Sequence, residues 1–250
     1  FIEQNCRVLG LEQEFTAVDT VALARVLLPT LSKYKLNLVA KALGISLENH
    51  HRAVDDAGAT AEIFVKFVEM LKDQHIMNLK EMNKFGDRNV NAIRKMPTHH
   101  IILIAQNDIG RYNLYQLITA SHMTYYARRP RIPKSLINEH REGIIIGSAC
   151  EAGELYRAVL EKQSAQQIAR LADFYDYYEI QPIGNDMFML EDEKTPNINT
   201  EEDLRNVNRE IVELGEKFGK PVVATCDVHF LDPEDEVYRR IIMAGKGFKD

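Results

Sequence analysis

Pro221-Val222-Val223-Ala224-Thr225-Cys226-Asp227-Val228-His229-Phe230 joins a short apolar run to a carboxylate and an imidazole two positions apart. A run this short and continuous suits a strand covered on both faces. Residues i and i+2 of a strand face the same side, so Asp227 and His229 are expected to project together from the strand's C-terminal end. A carboxylate and an imidazole so placed suit a Zn or Mn ion. Read alone, the same Asp-x-His also describes a turn cap beside a satisfied histidine.

Three similar runs lie upstream: Ile101 to Ala105, Gly143 to Gly147 and Tyr177 to Gln181. Helical patterns separate them, at Tyr112–Ser121, Gly153–Leu160, Ala165–Phe174 and Glu201–Phe218, and another follows at Pro233–Ala244. Short apolar strands alternating with helices predict an α/β fold with parallel strands packed inside helices. In parallel α/β barrels chemistry gathers at the C-terminal ends of the strands. Cys150, in Gly147-Ser148-Ala149-Cys150, stands just after one of these strands. It is either a thiolate ligand converging on the same place or a small buried hydrophobe.

The first third of the chain has a different texture. Asp19 opens a helix that Pro29 ends, and Tyr34 to Ile45 reads as a second helix stopped at Gly44. His51-Arg52-Ala53-Val54-Asp55-Asp56 then leads into a helix whose apolar face is read as Ala57, Ala61, Phe64, Val68 and Leu71. Asp55 and Asp56 fall in its first turn, where a carboxylate is favoured by unpaired amides and the helix dipole. By itself the hexapeptide fits a solvated loop histidine and an N-cap as well as it fits a site. Residues 73–97 are polar, Asn- and Lys-rich, and read as a partly helical connection.

Composition narrows the function classes. At 250 residues, 45% of them hydrophobic, the chain holds enough apolar surface for a real core. A net charge of −6 is not that of a self-sufficient nucleic-acid binder. The one dense basic patch is Arg128-Arg129-Pro130-Arg131 with Lys134, and Tyr125-Tyr126 precedes it as the one texture suited to base stacking. Three cysteines without paired spacing suit a reducing cytosol. No stretch is long and apolar enough for a membrane helix, so a soluble cytoplasmic protein is expected.

Two resemblances sharpen these expectations. The order Asp19-Thr20, helix, Tyr34-Lys35-Leu36, Leu43-Gly44-Ile45, then H-x-A-x-x-D from His51 to Asp56 resembles the C-terminal half of a histidine-bearing DEDD 3′–5′ exonuclease, a ribonuclease H-like domain, over residues 1–72. It implies His51 as the base that deprotonates the attacking water and Asp56 as a ligand of Mg or Mn. Phosphodiester cleavage by two divalent ions needs several converging carboxylates. Three of the family's four would precede Phe1, so this polypeptide alone is expected not to cleave DNA.

Residues 98–250 resemble the second part of a PHP (polymerase and histidinol phosphatase) domain, a β/α barrel. The resemblance is carried by His100 to Asn107, Asn113 to Leu117, Pro130 to Pro133, Gly147 to Cys150 and Val223 to Leu231. It implies a Zn or Mn site held by His100, Cys150, Asp227 and His229. His100 precedes its strand instead of following it, which spacing alone would not have selected. An exonuclease part followed by a PHP part, with 73–97 as the connecting segment, is similar to the PolC-type family of bacterial DNA polymerase III alpha chains. That family implies DNA replication by a DNA-directed DNA polymerase with proofreading. Its implied partners are a primer-template with a single-stranded 3′ end and replisome subunits such as the sliding clamp, and no membrane. The PHP part would act either as a metal-dependent phosphoesterase or as a metal-stabilised structural module.

Overall fold

A computed structural model of the chain describes residues 5, 6, 8–11, 18–47, 52–86, 89–192 and 195–246. The chain divides into two compact units: Phe1–Met96 with Ala120–Ser135, and Pro97–Thr119 with Leu136–Asp250. Among the described residues no helix is long and apolar enough to cross a membrane.

The first unit is helical. Helix α1 (Thr20–Leu27) starts at Asp19, whose carboxylate accepts from the Val21 amide at 2.8 Å. Helix α2 (Leu36–Ala42) follows, then the long α3 (Ala53–Asp73), α4 (Leu79–Gly86) and α5 (Val90–Lys95). In one core cluster Ile63, Phe67 and Leu71 of α3 meet Leu23, Ala24 and Leu27 of α1 and Val39 and Ala40 of α2. The buried line along α3 is Ala59, Ile63, Phe67 and Leu71, a strict four-residue step. The expected face through Phe64 was therefore rotated: Phe64 is 37% exposed and Phe67 is fully buried. Helix α3 also begins at Ala53, with no side-chain cap at Arg52. Asp55 is thus a first-turn residue, as expected, 3.8 Å from the Arg52 guanidinium.

Helices α4 and α5 lie in the stretch read as a connection. Ala92 and Ile93 of α5 are buried. Lys95 Nζ donates to the carbonyls of Pro29 and Leu31 and to the Tyr34 hydroxyl, pinning the loop that ends α1. Arg131, from the basic patch, donates to the carbonyls of Met96 (2.5 Å) and Ile93 (3.4 Å) at the end of α5. It serves that helix terminus, where last-turn carbonyls lack partners. Tyr125 is buried, leaving Tyr126 as the exposed ring of the pair.

The second unit is mixed α/β. Its elements in order are β1 (Ile102–Ala105), α6 (Asp108–Met123, which continues into the first unit), α7 (Lys134–Glu139), β2 (Ile144–Gly147), α8 (Glu154–Leu160) and α9 (Ala165–Phe174). There follow β3 (Tyr178–Ile180), a 3-10 helix (Ile183–Leu190), α10 (Glu201–Phe218), β4 (Val222–Ala224) and α11 (Glu236–Gly245). All four expected strands form. β3 and β4 pair in parallel, and a parallel bridge between Gly147 and Tyr177 joins β2 to β3. No closed sheet is formed among the described residues.

One strand departs from the expected parallel arrangement: β1 runs antiparallel to β2, with Ile102 opposite Gly147 and Ala105 opposite Ile144. A run of branched apolar residues satisfies either direction, so the intervening path decides. The Gln106 amide donates to the Gly143 carbonyl at 2.9 Å, so the chain re-enters the sheet at the end where it left. Antiparallel pairing follows, since a parallel neighbour would need a crossover to the other end.

Capping fixes the helices around this sheet. Ser164 and Gln167 form a capping box on α9, and Thr200 and Asp203 form one on α10. Helix α10 ends at Gly219, whose left-handed φ of 63° suits glycine. Leu204, Val207, Ile211 and Gly215 of α10 are buried. Lys220 Nζ donates to the carbonyls of Ala172, Asp173 and Tyr175 where α9 ends.

The rotated face of α3 is testable. Phe67→Ala should cost about 3–5 kcal/mol, read as a large fall in the melting temperature of the first unit. Phe64→Ala should cost only a small fraction of that, and equal losses for the two would restore the face through Phe64.

Candidate metal centre

The reversal of β1 determines what meets what. Because β1 opposes β2, the residue before β1 lies beside the residues after β2. His100 N donates to the Ala152 carbonyl at 3.0 Å, and His100 Nδ1 lies 3.2 Å from Cys150 Sγ. Its position before a strand is therefore what brings it to the thiol.

The turn after β2 is tight. Ala149 has a left-handed φ of 61°, and Gly153 N donates to the Cys150 carbonyl at 2.8 Å. A Cβ at Gly147 would lie 2.3 Å from the Tyr177 ring, so only glycine lets that ring cross the strand end. Out of this turn come Cys150 and Glu151. On the other side β4 stops at Ala224, and Asp227 adopts a left-handed φ of 48°. One ligand atom each from Cys150, Glu151 and Asp227 lies within 4.8 Å of the others.

His229 does not join this group as strand alternation suggested. The left-handed residue at Asp227 breaks the two-residue period. His229 Nδ1 instead sits 2.5 Å from the Asp227 carbonyl oxygen and 4.0 Å from its carboxylate, with the ring exposed. Cys226 is exposed, and its carbonyl accepts from Asn185 Nδ2 at 2.9 Å.

An open cavity of 590 Å³ runs beside the cluster, lined by His100, Cys150 and Asp227 and, farther along, by Tyr177, Glu179, Gln181 and Thr225. Cys150 is 8% exposed. Burial, then contact with Glu151 and the charge of Asp227, push its thiol up to about 12. Nearby, the fully buried Asp186 accepts from Tyr156 Oη at 2.9 Å, while its other oxygen has no partner. Burial, with repulsion from Glu151 and Asp227 and against the pull of the Tyr156 hydrogen bond, raises Asp186 to about 6. The site thus concentrates groups whose negative forms repel one another. A cysteine sulfur, two carboxylates and an adjacent imidazole form a donor set that fits a divalent ion of the Zn or Mn type.

Glu151, Glu179 and Asp186 were missed in the sequence. Glu151 had a signal, an acidic side chain next to the candidate cysteine in a Gly-bounded turn. Glu179 and Gln181 are polar residues two apart on an otherwise apolar strand, which places both on one face. Asp186 had no signal, since it sits in a 3-10 helix the pattern does not announce.

At the other candidate site, Asp56 is half-buried in the first turns of α3, its amide donating to the Arg52 carbonyl at 2.9 Å. His51 lies outside the described residues. Among the described residues Asp56 is not part of a cluster of three ligand groups.

Residues 31–191 match the family model described as PHP domain. The chain is also similar over its whole length to proteins named DNA polymerase III PolC-type. It is 55% identical over 251 residues to that of Clostridium perfringens, covering 100% of this chain and 17% of the relative. It is 46% identical over 250 residues to that of Caldanaerobacter subterraneus, covering 100% and 18%. With the Thermotoga maritima protein it shares 43% identity over 241 residues, covering 96% and 17%. The chain spans about a sixth of the length of these curated relatives.

Burial of Asp186 sets a pH dependence. Its folded-state value near 6 lies above the ordinary 3.8, so its contribution to stability is complete below about pH 4 and is lost as pH rises through 6. In chelator-treated protein, Asp186→Asn should therefore gain melting temperature relative to the parent between pH 4.5 and pH 7. A difference that stays flat across that range would contradict the assignment.

Proposed function

The chain belongs to the PHP domain family, and on that premise we propose that it is a segment of a PolC-type replicative DNA polymerase. Whole-length similarity to proteins so named carries the reading. In this proposal residues 1–72 are the C-terminal part of a ribonuclease H-like 3′–5′ exonuclease, 73–97 connect, and 98–250 are the second part of a PHP β/α barrel. The full-length protein would extend and proofread a DNA primer in the cytoplasm, with the sliding clamp among its partners. His51 would take a proton from the attacking water, and Asp56 would help hold Mg or Mn.

For the PHP part we infer a metal site at Cys150, Glu151 and Asp227, with His100 and His229 adjoining. A bound Zn or Mn would neutralise the repelling groups and tie together the β2–α8 turn, the turn after β4 and the start of β1. We assign it a structural role, since these ligands come from segments far apart in sequence. The second reading, a metal-dependent phosphoesterase, is favoured by the open cavity beside the same residues.

The two parts separate in experiment. In the full-length protein, His51→Ala and Asp56→Ala should each slow 3′–5′ excision by about 100-fold or more, measured on a mismatched primer end. Unchanged excision in both would remove the exonuclease assignment. Asp227→Ala should lower bound zinc or manganese and the melting temperature while excision persists. Phosphate-ester hydrolysis that disappears in a still-stable Asp227→Ala protein would move the PHP part to the phosphoesterase reading.

A further inference from the structure

We propose that Glu179 is a positioning residue that holds both metal-binding turns in register, an inference that rests on the metal site at Cys150, Glu151 and Asp227. Glu179 lies on β3 and is 6% exposed. Its backbone amide donates to Ser148 Oγ at 2.9 Å, and Ser148 stands two residues before Cys150. Its carboxylate accepts from Thr225 Oγ1 at 3.0 Å, and Thr225 stands two residues before Asp227. The second carboxylate oxygen accepts from Tyr177 Oη at 2.9 Å, fixing the ring that crosses Gly147. One residue on the middle strand is thus bonded to each of the two segments that supply ligands.

Both turns need such support. Ala149 and Asp227 occupy left-handed backbone that side-chain-bearing residues rarely adopt, and it persists only where surrounding contacts over-determine it. At the first turn the backbone of Glu179 does the holding, so no substitution of its side chain reaches it directly. At the second, the link runs through the carboxylate and the Thr225 hydroxyl. The Thr225 amide, donating to the Ile180 carbonyl at 3.0 Å, marks the last ladder contact before the chain turns toward Asp227. Loss of the hydroxyl link would free the segment carrying Asp227 while the sheet itself remained.

The chemistry of Glu179 also separates positioning from ligation. Its oxygens are engaged by two hydroxyls, which an amide can also satisfy, accepting from one and donating to the other. A residue holding the turn should therefore tolerate Gln, whereas a metal ligand should not.

The test reads zinc affinity by chelator competition in the full-length protein with excess magnesium present, alongside the melting temperature of the metal-free form. Glu179→Leu and Thr225→Val should each weaken zinc binding by about 10–100-fold, the range for groups that orient metal ligands. Glu179→Gln should stay near the parent, and Thr225→Ser should restore what Thr225→Val loses. Parent-like affinity in both Glu179→Leu and Thr225→Val would overturn the positioning role while leaving the metal site intact. Glu179→Gln binding as poorly as Glu179→Leu would overturn it in favour of direct ligation. A parent that binds no zinc or manganese would remove the underlying site and this inference with it.

Discussion

The antiparallel placement of β1 against β2 is the constraint on which the second unit depends. If β1 ran parallel to its neighbour, His100 would lie at the far end of the sheet from Cys150. Instead the Gln106–Gly143 hydrogen bond returns the chain to the end it left, and the segment before β1 falls beside the segment after β2. The bridge from Gly147 to Tyr177 and the parallel β3–β4 pair then bring two more strand ends to the same edge. Four segments scattered over about half the chain meet there because of strand direction.

What meets at that edge is electrostatically unfavourable by itself. Burial first, and the negative charges of Glu151 and Asp227 after it, push the Cys150 thiol up to about 12 and the Asp186 carboxyl up to about 6. Sheet hydrogen bonding and turn geometry hold them within reach of one another in spite of it. A divalent cation would oppose this upward shift, since it favours the deprotonated form of every ligand around it. The same arrangement that costs stability when empty of charge compensation is what would give a metal a strong hold.

Much of this was legible in the residues, and the failures have identifiable causes. The four strands and the helices at Ala165–Phe174 and Glu201–Phe218 fall where periodicity and capping put them, because those signals are local. Strand direction was not legible, since Ile101 to Ala105 carries no information about which way its neighbour runs. How Asp227 and His229 come together was not legible either, since strand alternation does not hold through the left-handed backbone at Asp227, and His229 Nδ1 lies 4.0 Å from that carboxylate. The buried face of α3 was misread everywhere but at Leu71, because Phe64 and Phe67 are equally apolar and only the packing against α1 and α2 distinguishes them. Glu179 looked like part of a core strand, and its role depends on partners 31 and 46 residues away.

The basic patch shows the same limit from the surface side. Arg128, Arg129 and Arg131 read as one cluster, yet Arg131 is spent on the carbonyls that end α5. A guanidinium so engaged supplies a fixed internal bond and little free charge. What remains exposed is a pair of arginines on a chain of net charge −6, too few for the many phosphate contacts that tight, salt-dependent binding requires. If this segment works on DNA, its hold on the backbone has to be provided chiefly by other parts of a longer protein.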